Sequence, residues 1–179
     1  MMNLVTCYHC NYSEKIKDFI TRERLIVSQH KFDDNWSGKG MYFWDNLGNA
    51  KYWKGEKLKR EKEKEVWIIS LDITFDSNTC SFLDLTDPEI LKKIVEYYQL
   101  THPDQEITDK KIGVVIDDYT SRYRVEVVKI LGNYRYTKSP NIDVDISKLS
   151  FQAKTIYCVK ENCEANVKFD TVKKVEEDI

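Results

Sequence analysis

The stretch Val66-Trp67-Ile68-Ile69-Ser70-Leu71-Asp72-Ile73 indicates the fold class. It begins as a continuous apolar run and then alternates, which is typical of a strand buried inside a sheet. Similar apolar or alternating runs at residues 4–8, 41–44, 155–159 and 167–175 predict four further strands. The last of these is expected to be a terminal edge strand, so both ends of the chain contribute to one sheet.

Helical patterns separate these strands. Three segments have helical character: one that follows Ser13, one that begins near Ala50, and one over residues 88–100. Ile16, Phe19 and Ile20 form the apolar face of the first helix. Residues 112–116 favour another strand, whereas residues 123–131 are compatible with either a helix or a strand. Strands at both ends with helices between them predict an α+β fold.

The composition is that of a single folded domain over residues 1–179. Hydrophobic residues make up 41% of the chain and charged residues 32%, which is enough apolar surface for a core. The 28 basic and 30 acidic residues exclude a uniformly basic nucleic-acid-binding protein, but not a local basic patch. The chain has no apolar run long enough to span a bilayer and no signal-peptide pattern, so we expect a cytoplasmic protein without a membrane partner.

The cysteines do not predict a metal site or a thiol nucleophile. Cys7 and Cys158 fall inside predicted strands, whereas a zinc-binding Cys-x-x-Cys pair needs a tight turn. His9 and Cys10 are neighbours on a predicted strand and therefore point to opposite faces. They cannot act together as a base and a nucleophile.

The segment Gly38-Lys39-Gly40-Met41-Tyr42-Phe43 has features of a ligand-binding element. It lacks the spacing of a phosphate-binding loop, and a strand follows it instead of a helix. Its two glycines allow the backbone to approach a ligand closely. Tyr42, directly after them, and Tyr52, ten residues later, are suited to cover the two faces of a flat aromatic group.

His9, the segment at residues 38–43 and Ala50-Lys51-Tyr52 together resemble the NAD-binding core of diphtheria-toxin-type ADP-ribosyltransferases, a family that includes the poly(ADP-ribose) polymerases. The order and spacing of these residues agree over about residues 5–53. The resemblance implies an ADP-ribosyltransferase-like split β-sheet core with flanking helices. It also implies cleavage of NAD with release of nicotinamide, and it makes Gly40 a cofactor-binding residue.

The same resemblance assigns roles to further residues. His9 would bond the ribose next to nicotinamide, and the backbone of Cys10, where the family has a glycine, would contact the carboxamide. Tyr42 and Tyr52 would stack on the two faces of the nicotinamide ring. Asn49 stands where the family often has a serine bonded to the carboxamide, in a stretch that is one residue shorter here.

A third catalytic position is less well defined. The family usually carries a glutamate on a late strand, which bonds the ribose hydroxyls and helps to activate the acceptor. Gln152, just before the strand at residues 155–159, is the leading candidate for this position, and Glu161 and Glu164 are alternatives. A glutamine favours transfer of a single unit over chain growth, because it cannot act as a base.

The sequence therefore predicts a NAD-dependent mono-ADP-ribosyltransferase, of the kind that acts as a bacterial or phage-conflict toxin. Its acceptor would be a protein or a nucleic acid, and an antitoxin or immunity protein would be a further partner. A NAD glycohydrolase, a tRNA 2′-phosphotransferase and an inactive module that binds NAD or ADP-ribose remain as alternatives. Basic residues near the expected cleft are compatible with either a nucleic-acid grip or a solvated rim: Lys15, Lys17, Arg22, Arg24 and Lys31, with Trp36.

Overall fold

The computed structural model describes residues 2–28, 36–107, 111–133 and 153–176, which contain seven strands and four helices. In chain order these are β1 (Met2–Tyr12), α1 (Ser13–Arg22), β2 (Met41–Trp44), α2 (Leu47–Arg60), β3 (Val66–Asp76), β4 (Phe82–Asp84), α3 (Pro88–Thr101), α4 (Ile112–Tyr123), β5 (Val127–Asn133), β6 (Ala153–Val159) and β7 (Val167–Lys174). A short 3₁₀ turn, Glu164–Asn166, comes directly before β7.

The strands form one mixed sheet in the order β4-β5-β6-β2-β1-β3-β7. Neighbouring strands are antiparallel except β4 and β5, which are parallel. The long pair in the sheet is β1 with β3, which are in register from Met2 opposite Asp76 to Tyr12 opposite Val66. The predicted buried strand is thus the core of β3, and the last strand lies at the edge of the sheet, as expected.

The sheet is nearly divided between β1 and β2. Only one residue pair, Tyr8 with Trp44, joins these two strands. On the far side of β2, four consecutive residues pair with β6. The sheet therefore consists of two halves, β4-β5-β6-β2 and β1-β3-β7, with an open gap between β1 and β2.

Helices cover both faces of the sheet. Helix α1 buries Ile16 and Phe19 in one apolar core, whereas α2, α3 and α4 pack over a second core on the opposite face. Cys7 lies in the first of these cores and Cys10 in the second, so the sheet separates the two thiols. No helix in the described ranges is long and apolar enough to cross a membrane.

Two predicted elements differ from the structure. Residues 112–116 begin helix α4 and do not form a strand. Val115 and Ile116 are adjacent and both buried, whereas Val114 is 39% exposed, and this burial pattern fits the period of a helix and not the strict alternation of a strand. Helix α2 begins at Leu47, before Ala50, because the Asn46 side chain accepts a hydrogen bond from the backbone N–H of Asn49. The undecided segment at residues 123–131 contains the last residue of α4, Tyr123, and the first five residues of β5.

Candidate functional site

A cavity of about 530 Å³ lies at the open gap between β1 and β2. Its size is in the range of small-molecule binding sites. Side chains from β1, β2, β6, α1 and α2 line it, together with the segment at residues 26–28 and Trp36. The gap in the sheet and the cavity therefore coincide, and side chains from both halves of the sheet line the same space.

His9 spans the gap. Its Nδ1 atom lies 2.8 Å from the backbone oxygen of Tyr42 on β2. Because a carbonyl oxygen can only accept, Nδ1 carries the proton and Nε2 keeps a free lone pair. Nε2 is 3.5 Å from the Nδ2 atom of Asn11, which is the outer limit of a hydrogen bond. A ligand hydroxyl that donates to Nε2 would replace only this weak contact.

The His9 imidazole is neutral near pH 7. The side chain is buried, and burial lowers the pKa of His9 to about 4, against a smaller opposing effect of the bond to Tyr42. A nearby lysine, Lys57, lowers this pKa further. The group is therefore suited to accept a hydrogen bond and not to donate a proton to a leaving group.

We expect acidification to destabilise the protein through His9. Its pKa is about 4 when folded and 6.5 in the ordinary state, so the unfolded chain binds an extra proton between these values. The free energy of unfolding is fully retained above pH 6.5 and falls as the pH drops towards 4, by about 3 kcal/mol from this residue. Chemical denaturation of wild type and His9→Gln at pH 7, 5.5 and 4 measures this contribution, and an identical pH dependence of the two proteins would contradict it.

Aromatic rings form much of the cavity wall. Trp44 stacks between His9 and Trp53, with ring centroids 6.2 Å from each neighbour. Tyr42 and Trp53 both line the cavity, but Tyr52 does not. The Tyr52 side chain is 49% exposed, and its ring meets Trp53 edge-on at 5.7 Å. Successive residues of a helix are about 100° apart, so α2 turns Trp53 and not Tyr52 towards the cavity.

An ion pair between buried Lys160 and partly buried Asp117 holds the glycine loop, which we define as residues 37–40. Lys160 Nζ lies 2.7 Å from Asp117 Oδ1 and donates to the Ser37 carbonyl at 2.8 Å. Both carboxylate oxygens of Asp117 are 3.0 Å from the backbone nitrogen of Lys39, which donates to them. Helix α4 and the end of β6 thus fix the backbone of the loop.

The two glycines of this loop pack against protein atoms. Gly38 has a φ of 77°, and a Cβ atom at this position would overlap the carboxylate of Asp117. A Cβ at Gly40 would overlap the sulfur of Cys158. The Gly38 carbonyl also accepts a hydrogen bond from the Tyr42 hydroxyl. Neither glycine lines the cavity; the loop acts on it by orienting the Tyr42 ring.

The remaining predicted site residues are placed as follows. Cys10 lines the cavity, and burial raises the pKa of its thiol to about 11, so it is not a thiolate. Asn49 is buried in α2 and does not line the cavity; its Nδ2 atom makes no hydrogen bond within the described structure. Glu161 lines a separate cavity beside Lys160, and Glu164 accepts from the backbone of Leu25 at 3.5 Å.

No residue at the third catalytic position faces the cavity in the described ranges. Gln152 lies outside them. The residue of β6 that does line the cavity is Ile156, which has no acid–base chemistry. Within the same ranges, no group of three or more His, Cys, Asp or Glu side chains is arranged to hold a metal ion.

The basic residues expected near the cleft are dispersed. Lys15 and Trp36 line the cavity. Lys17 instead lies over the ring of Trp67, 4.9 Å from its centroid, and Arg22 pairs with Asp18. Lys31 falls outside the described residues. A continuous basic track along α1 is therefore absent from the part of the chain that the structure describes.

Two important cavity residues were not predicted from the sequence. Trp53 stands next to the predicted Tyr52, and the one-residue shortening noted above is a signal that favours Trp53 at this position. Lys57 lies in a run of charged residues, 56–65, which by itself indicates only a solvated helix. Nothing in the sequence links Asp117 or Lys160 to the glycine loop.

Comparison with protein-family models, with curated proteins and with solved structures finds no match to this chain.

Proposed function

We propose that this protein is a NAD-dependent mono-ADP-ribosyltransferase with an ADP-ribosyltransferase-like split sheet. The observation that carries the proposal is the cavity at the open gap, which brings His9, Cys10 and Tyr42 together although they come from two different strands. The resemblance implied seven site residues, and these three line the cavity, whereas Gly40, Asn49 and Tyr52 do not and Gln152 lies outside the described residues. A near-division of the sheet at one residue pair is also what a split core requires.

The geometry supports a specific binding mode for NAD. A nicotinamide ring would lie between Tyr42 and Trp53, where each stacked ring contributes of order 1 kcal/mol beyond burial. The adjoining ribose would donate a hydroxyl hydrogen bond to His9 Nε2. The backbone beside Cys10 would meet the carboxamide. Trp53 thus takes the part that the resemblance gives to Tyr52.

The reaction breaks the bond between the anomeric carbon and the nicotinamide nitrogen. The electron pair leaves with nicotinamide, and the ribose passes through an oxocarbenium-like state before an acceptor atom bonds to the same carbon and loses its proton. A neutral His9 can orient the ribose without placing a positive charge beside this developing cation. The described residues that line the cavity include no carboxylate, which favours a single transfer over chain growth.

Incubation with NAD labelled in its adenylate half tests the proposal. We expect release of nicotinamide together with label on a protein or RNA from a cell extract. Free ADP-ribose as the sole product would instead identify a NAD glycohydrolase. Binding of NAD without release of nicotinamide would identify an inactive binding module, and the proposed reaction would be wrong.

Three aromatic variants test the binding mode. Tyr42→Ala and Trp53→Ala are each expected to lower kcat/KM for nicotinamide release by about tenfold, because each removes one stacking ring. Tyr52→Ala is expected to have a much smaller effect, since its ring lies outside the cavity. Tyr42→Phe keeps the ring and separates stacking from the hydroxyl bond to Gly38. A larger loss for Tyr52→Ala than for Trp53→Ala would contradict the assignment of Trp53.

A further inference from the structure

One end of the cavity carries an excess of positive charge. Lys57 of α2 and Lys15 of α1 both line it, and none of the other described lining residues is acidic. Neither lysine forms an ion pair with a described residue. On the same charged run, by contrast, Lys59 pairs with Glu56 at 2.6 Å and Lys64 pairs with Glu61 at 2.6 Å. Two lysines of this run are thus paired on its outer surface, whereas Lys57, at the cavity, forms no ion pair among the described residues.

Lys57 is held in a defined position. Its Nζ atom donates to the Oδ1 atom of Asn11 at 3.3 Å and lies 5.1 Å from the ring centroid of Tyr12. The side chain is half-buried, and burial lowers the pKa of Lys57. Its charged neighbours are Lys15, Arg60 and Glu61. The carboxylate of Glu61 is already bonded to Lys64. A partly desolvated ammonium group that forms no ion pair within the described part of the chain favours binding of an anion.

Lys57 lies close to the proposed ribose position. Asn11 contacts His9 Nε2 through one amide atom and Lys57 through the other. Residues two apart on a strand lie on the same side, separated by about 7 Å. A single nucleotide can therefore bond to His9 with a ribose hydroxyl and to Lys57 with a phosphate.

We propose that Lys57, assisted by Lys15, forms a phosphate subsite, and that the ligand of this cavity is a phosphate-bearing nucleotide and not a nucleoside. The identity of the phosphate as the pyrophosphate of NAD rests on the proposed function. Lysine acts here as a point charge, and Asn11 fixes its position. The subsite itself depends only on the cavity and its two lysines.

Calorimetric titration with ADP and with nicotinamide riboside tests this subsite. We expect Lys57→Met to weaken ADP binding at least tenfold, because a hydrogen bond to a charged group is lost, and to leave the affinity for nicotinamide riboside within about twofold. Methionine keeps an unbranched apolar stem, and a thermal melt would show that the variant is folded. Lys15→Met is expected to have a smaller effect, since Lys15 is exposed. ADP affinity of the wild type should also fall between 50 and 200 mM salt.

Lys51→Met is the matched control. Lys51 lies on the same helix, is exposed and does not line the cavity. Equal ADP affinities of the Lys51 and Lys57 variants, an equal loss for nicotinamide riboside, or no ADP binding by the wild type would each overturn the subsite. If ADP binds in a Lys57-dependent way but NAD is never cleaved, the subsite holds and the proposed reaction fails. If Lys57→Met releases nicotinamide with an unchanged KM, the reaction holds and the subsite fails.

Discussion

Replacing His9 with alanine is expected to lower kcat/KM for nicotinamide release by about 100-fold, the usual cost of removing one positioned hydrogen-bonding group from a reacting centre. The alanine variant loses the acceptor at Nε2 that would hold the ribose. It also loses the bond from Nδ1 to the Tyr42 carbonyl, which spans the gap in the sheet. Initial rates of nicotinamide release, measured with wild type and variant at the same enzyme concentration, give the effect directly.

A second variant separates the two consequences of this change. His9→Gln keeps an N–H donor for the Tyr42 carbonyl but presents no imidazole lone pair to a ligand. We expect it to recover most of the stability that the alanine variant loses, while its rate stays low. Full recovery of the rate in His9→Gln would show that His9 acts only through the structure of the sheet. A wild-type rate in His9→Ala would exclude it from the site.

Breaking the ion pair behind the glycine loop is expected to have the largest effect on stability. Asp117→Ala leaves the ammonium group of Lys160, whose side chain is 9% exposed, without its carboxylate. Removing one partner of a buried pair costs about 3–5 kcal/mol, and the 26% exposure of the Asp117 side chain places our expectation near the lower value. Denaturant unfolding of wild type and variant measures the loss. We also expect a lower rate of nicotinamide release, because the loop orients Tyr42.

A double-mutant cycle is the control for this pair. The double variant Asp117→Ala with Lys160→Met removes both charges and is expected to be more stable than Asp117→Ala alone. Strictly additive losses would show that the two side chains are not energetically coupled. The pair of Lys59 and Glu56 offers a comparison in which the lysine side chain is 75% exposed, and Glu56→Ala is expected to leave the stability unchanged within error.

Much of the fold is predictable from local patterns. The cores of β1 and β3 and the whole of β2 are continuous or alternating apolar stretches that are visible in the sequence itself. The start of α4 was predicted wrongly because five apolar or small residues are too few to distinguish a helix from a strand. The position of the gap between β1 and β2 does not follow from local patterns, since the number of residue pairs between two strands depends on the whole sheet.

The candidate site was predictable to a similar extent. His9, Cys10 and Tyr42 belong to short motifs whose spacing is visible in the sequence, and the structure places all three at one cavity. The choice between Tyr52 and Trp53 depends on the rotation of α2, which composition does not show. Asp117 and Lys160 contact the glycine loop across 78 and 123 positions of the chain, so no local pattern connects them with it.

The single residue pair between β1 and β2, Tyr8 with Trp44, has a mechanical consequence. Every other neighbouring pair of strands shares at least three residue pairs. Twisting one half of the sheet against the other therefore costs the least free energy between β1 and β2. Whatever occupies the cavity touches both halves and opposes that twist. Ligand binding in the cavity and the rigidity of the sheet are then coupled, and we expect the ligand-bound protein to resist heat and proteases better than the ligand-free protein.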